Sequence, residues 1–154
     1  MRLLLISRDD ILAVMADDSA DRAFRLLANL TRHGFHLLAT APQPDKWAGE
    51  HGCPDDALLG PNSIRKRLAN AGGTLDGVYY VRRSMLTQRR NREDALRDML
   101  QRYSAKPEET VLLSSAKNFV RAAGDMGIRA TLLGRENPLT AELEKIGEST
   151  TSPE

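Results

Sequence analysis

The chain has 154 residues, of which 41% are hydrophobic and 28% charged, with a formal net charge of +1. That length suits one domain with its own core, and the near-neutral charge gives no general case for nucleic acid or an anionic membrane. The single cysteine, Cys53, excludes an internal disulfide and a thiolate zinc cage, and it fits a reducing, cytoplasmic compartment.

The apolar run Leu3–Ile6 is too short for a signal-peptide core or a membrane span. It reads as a buried strand, Arg2–Ile6. Ala20, Ala23, Phe24, Leu27, Leu30 and Thr31 then repeat at helical spacing. Asp18 or Ser19 is placed to cap that helix, and Gly34 to stop it. Phe35–Ala39 is the second strand, followed by an irregular stretch at Trp47–Gly60. Pro61 opens a helix with an Ile64, Leu68, Ala71 stripe, ended by Gly72-Gly73. Val78–Val81 is the third strand. A helix carrying Ala95, Leu96, Met99, Leu100 and Tyr103 follows, and then a fourth strand at Thr110–Leu113. Phe119, Val120, Ala123 and Met126 mark the next helix, closed by Gly127. Ala130–Leu133 is the fifth strand, and Asn137-Pro138 opens a last helix with Leu139, Leu143 and Ile146. Residues 148–154 read as a flexible tail after one domain spanning 1–147.

Strands alternating with helices imply an α/β, three-layer, Rossmann-like fold: a parallel five-stranded sheet with helices on both faces. Ligands of such sheets bind at the carboxyl ends of the strands. Here those ends carry Ser7-Arg8-Asp9-Asp10, Thr40-Ala41-Pro42-Gln43, Arg82-Arg83 and Ser114-Ser115.

Three stretches carry a family likeness. NLTRHGFHLLATAPQ, from Asn29 to Gln43, resembles the helix–glycine–strand that leads to a phosphate-binding Thr in heptose-bisphosphate and histidinol-phosphate phosphatases. GGTLDGVYY, from Gly72 to Tyr80, is similar to the third strand of the same subgroup. Residues 104–127 resemble its next strand–loop–helix, with the Lys106-Pro107-Glu108-Glu109 lead-in. The likeness covers most of residues 1–134 and points to the haloacid dehalogenase (HAD-like) superfamily, without a cap domain.

The resemblance implies a set of roles. An Asp at the tip of the first strand attacks phosphorus, and a second Asp two residues on handles the proton. A Thr or Ser after the second strand and a Lys before the fourth hold the phosphate. Acids after the fourth strand help hold Mg²⁺. In this sequence Ser7 stands at the nucleophile position, so the nucleophile is degenerate. Asp9 matches the proton-handling Asp, and Thr40 matches the phosphate-holding Thr. Arg89 or Arg90 stands near the Lys. Ser115, Asn118 and Phe119 occupy the degenerate metal positions. The subgroup's zinc-binding Cys/His cluster is replaced by Val81-Arg82-Arg83-Ser84, so no zinc is expected.

A serine hydroxyl, unlike a carboxylate, needs a base before it can attack. A hard divalent cation wants several anionic oxygens, and Asp9 is nearly the only one left, with Asp10 a poorly placed spare. Losing positioned acid–base help alone costs roughly two to four powers of ten in rate. The expectation is a catalytically degenerate phosphatase homologue, a pseudophosphatase, with no metal or other cofactor. It would bind a phosphorylated small molecule or a protein partner and have no membrane association. One alternative is an altered Mg²⁺-dependent hydrolase of sugar phosphates, using Ser7, Asp9 and Thr40 with Arg89 or Arg90. The other is RNA or DNA binding through the Arg82–Arg92 segment, which has no interleaved aromatic residue to stack bases. His33, His36 and His51 lack metal-ligand spacing, and Cys53 has no adjacent His.

Overall fold

Leu3, Leu4, Leu5 and Ile6 are all fully buried, as a strand covered on both faces must be. The structure, a computed structural model, describes residues 2–42, 64–81 and 89–151. Strand β1 (Arg2–Ser7) runs directly into α1 (Arg8–Met15), followed by α2 (Ala20–Arg32) and β2 (Phe35–Pro42). Then come α3 (Ile64–Asn70), β3 (Gly77–Val81), α4 (Arg89–Arg102) and a 3-10 turn at Pro107–Glu109. The chain ends with β4 (Thr110–Ser114), α5 (Lys117–Asp125), β5 (Arg129–Leu132) and α6 (Leu139–Thr151). Every strand pairing is parallel, in the order β3-β2-β1-β4-β5, so the expected sheet is the observed one.

The two-residue period of the strands divides the core. Leu4, Ile6, Leu37, Ala39, Val111 and Leu113 point to one face, where α1, α2, α3 and α6 cover them with Ile11, Phe24, Leu27, Leu68 and Leu143. Leu3, Leu5, Leu38 and Leu112 point to the other face, against Ala95, Leu96 and Met99 of α4 and Phe119, Ala122 and Ala123 of α5. Each fully buried leucine contributes about 1.5–3 kcal/mol of transfer free energy.

Several boundaries differ from expectation. Helix α1 was not anticipated. It forms because Ile11 is buried and Leu12, Val14 and Met15 pack against the first core cluster. Strand β2 continues through Pro42 because its partner β3 keeps pairing as far as Val81. Ser19 is the N-cap of α2, but its side chain makes no capping bond; instead Asp17 Oδ1 accepts the Ser19 N–H at 3.2 Å. Helix α6 runs to Thr151, through residues expected in a tail, because adding a helical hydrogen bond to an existing helix costs little. Trp47, His51, Cys53, Arg82, Arg83 and Ser84 lie outside the described residues.

Gly73 permits a close approach. A Cβ there would lie 2.6 Å from Ala28 Cα, so the turn after α3 seats directly on α2. Helices α2 and α6 are joined at the surface by the Arg22–Glu144 ion pair.

Candidate functional site

The carboxyl edge of the sheet assembles the polar residues one by one. Ser7 closes β1 and is the N-cap of α1, with extended backbone angles (φ −63°, ψ 130°) and no capping bond from its hydroxyl. Ser7 is paired in register with Thr40 of β2, and Ile6 with Leu113 of β4, so Ser114 comes level with Ser7 one step further on. By the two-residue period, Ser7, Thr40 and Ser114 extend the Leu5, Leu38, Leu112 face. Thr40 was expected in a loop after the strand. It lies within β2 and is only 7% exposed.

The acidic residues are arranged differently from the sequence expectation. Asp9 points outward, its side chain 63% exposed. Its Oδ1 accepts from Arg8 Nη2 at 3.1 Å and from Arg8 Nε at 3.3 Å. The acid that reaches across the edge is Asp10, the residue expected to be a misplaced spare. Its Oδ2 accepts the backbone N–H of Ser115 at 2.9 Å. Next to that bond, Ser114 Oγ accepts the N–H of Ala116 at 3.1 Å. The β4–α5 turn is therefore held from both sides. The side chains of Ser115 and Asn118 are exposed, and Phe119 is buried in the core against α4 rather than lining the edge.

Arg89 and Arg90 open α4, and their side chains lie outside the described residues. Arg92, which the sequence offers only as the end of the Arg82–Arg92 segment, is 9% exposed. Helical spacing puts Arg92 on the face of Ala95, Leu96 and Met99, the residues that cover Leu5, Leu38 and Leu112. A right-handed crossover brings the first turn of α4 to the carboxyl end of the strands, and helical side chains lean toward the helix N-terminus. Arg92 is thus a buried residue of the first turn of α4, on the helix face that packs against the sheet. The signal available in the sequence was its spacing of three, four and seven from those three apolar residues.

Among the described residues, no group of three or more His, Cys, Asp or Glu side chains is gathered as metal ligands. The two edge carboxylates are each engaged, one by Arg8 and one by Ser115. Among the described residues, no helix is long and apolar enough to cross a membrane.

No protein-family model matches the chain, and no curated protein matches it. Solved structures do. An uncharacterized protein from Corynebacterium glutamicum superposes with a TM-score of 0.64 at 19% identity, covering 100% of this chain and 98% of that one. A D,D-heptose 1,7-bisphosphate phosphatase from B. bronchiseptica, complexed with magnesium and phosphate, gives a TM-score of 0.64 at 14% identity. That match covers 97% of this chain and 99% of the other. At such identities the likeness speaks to fold alone, and it agrees with the Rossmann-like parallel sheet described above.

Proposed function

We propose that this chain binds a phosphorylated ligand at the carboxyl edge of its sheet and does not hydrolyse it. The observation that carries the reading is the combination of a buried Arg92 in the first turn of α4 with edge carboxylates that are already engaged. Arg92 supplies a fixed positive charge with several donors suited to phosphate oxygens. Thr40 supplies a nearly buried hydroxyl in register with Ser7. The first-turn N–H groups of α1 lack intrahelical partners and point out of the same strand tip.

The carboxylate side of the chemistry is poorly supplied. Ser7 needs a base, and Asp9 is drawn outward by Arg8. The donor set does not fit a hard divalent cation, which prefers several free anionic oxygens. The heptose-bisphosphate phosphatase of the same fold holds both magnesium and phosphate. Among the described residues, those at the edge suit a phosphate better than a divalent cation.

Titration with inorganic phosphate or vanadate in the presence of EDTA tests the reading. Wild type is expected to bind, and Arg92→Ala to weaken binding on the order of 10- to 100-fold, the worth of a charge-assisted contact. Thr40→Val should weaken it less. Mg²⁺-dependent hydrolysis of a generic phosphate ester, abolished by Asp9→Asn, would overturn the reading in favour of an altered hydrolase.

A further inference from the structure

The bond between Asp10 and Ser115 joins residues 105 positions apart and ties the tip of β1 to the turn after β4. It involves a carboxylate and a backbone N–H at the entrance to α5. The next N–H along, that of Ala116, is taken by Ser114 Oγ. The two N–H groups ahead of Lys117, the first residue of α5, are therefore both satisfied from within the chain. Backbone donors at a helix entrance are a common place for a ligand's anionic oxygens, and here a carboxylate already stands one residue ahead of the α5 N-cap, Ala116.

We infer that Asp10 is a built-in anion that sets the specificity of the edge site: it admits one phosphoryl group on the Thr40 side and turns away a second negative group on the β4 side. The inference rests on the phosphate-binding reading above and names the ligand class within it, a monophosphate rather than a bisphosphate or pyrophosphate. The edge is asymmetric in this respect. On the β2 side stand Ser7 and Thr40, paired in register, with Thr40 nearly buried. On the β4 side stand the Asp10 carboxylate and an N–H that it occupies. Two anions within about 6 Å at a partly solvated edge repel strongly enough to change affinity on the order of tenfold or more.

Two substitutions separate charge from tether. Asp10→Asn keeps an acceptor oxygen of nearly the same shape for Ser115 and removes the charge. Asp10→Ala removes both. Calorimetric titration with inorganic phosphate and with pyrophosphate, in EDTA, is expected to show wild type preferring phosphate. Asp10→Asn should raise pyrophosphate affinity about tenfold, and phosphate affinity by less. In Asp10→Ala the Ser115 amide resonance should shift on adding pyrophosphate, which it should not do in wild type. A brace with only a structural role would lower the melting temperature without improving anion binding. If wild type binds phosphate and Asp10→Asn leaves both affinities unchanged, the inference falls and the phosphate-binding reading stands. If only Asp10→Asn binds, Asp10 closes the edge to a single phosphoryl group as well, and both the inference and the reading of wild type as a phosphate binder fall. If neither protein binds either anion, both fall. Should Asp10→Ala not fold, the near-isosteric Asn variant decides the matter alone.

Discussion

Tyr79 reaches from β3 to α4, where its hydroxyl donates to Asp98 Oδ2 at 2.6 Å. Arg102 Nε lies 3.2 Å from the same oxygen, and its guanidinium sits 5.3 Å from the Tyr79 ring centre. The tyrosine hydrogen bond, helped by Arg102, holds the Asp98 carboxyl below its ordinary value, against a smaller opposing effect of burial. A depressed carboxyl stabilises the fold above its unfolded pKa, and that stability is lost as the pH falls through the folded value. Tyr79→Phe should therefore bring the Asp98 titration, followed by carboxyl carbon NMR, back toward an ordinary aspartate. It should also lower stability by about 1 kcal/mol or less, since the site is partly exposed. A second residue-scale feature is Ser104, which has φ +49° just after α4. The left-handed region costs a side-chain-bearing residue about 1–2 kcal/mol, and glycine avoids most of that. Ser104→Gly should raise the urea midpoint with the slope unchanged, by the equivalent of roughly 0.5–1 kcal/mol.

At the scale of elements, α3 and α2 depend on the absence of a side chain at Gly73. A methyl group there would fall 2.6 Å from Ala28 Cα and 2.9 Å from Ala28 Cβ. Backbone cannot yield as a flexible side chain can, so Gly73→Ala should cost about 1–3 kcal/mol, read by chemical denaturation. The elements that the sequence made legible are those with a clean period. Helices α2 and α4 carry apolar residues every three or four positions, and the strands are continuous apolar runs between turn residues. Helix α1 was hidden because its apolar residues, Ile11, Leu12, Val14 and Met15, follow an acidic pair that reads as a turn. Only Ile11 among them is fully covered, so no stripe stands out. Arg92 was obscured for a related reason: it sits in a run of arginines whose spacing is visible only once the helix face is fixed.

For the whole molecule, the alternation of strands and helices was enough to indicate the parallel sheet and its carboxyl edge, and Ser7, Thr40 and Ser114 stand along that edge. Pairing across the edge was less accessible. Nothing near Asp10 in the chain distinguishes it from Asp9, because its partner Ser115 is 105 residues away. Local chemistry favoured Asp9, whereas the three-dimensional arrangement turned Asp9 toward Arg8 and Asp10 toward the β4 turn.

The middle position of β1 bears on how the protein is made. Strand β1 pairs with β2 on one side, but its other neighbour, β4, is synthesised about a hundred residues later. One side of the sheet then waits for Leu139, Leu143 and Ile146 of the last helix. During translation the chain must carry an uncovered leucine-rich ribbon for most of its length. A nascent chain arrested near Gly134 should be sensitive to protease and prone to clump, and extension through Thr151 with release should abolish both behaviours.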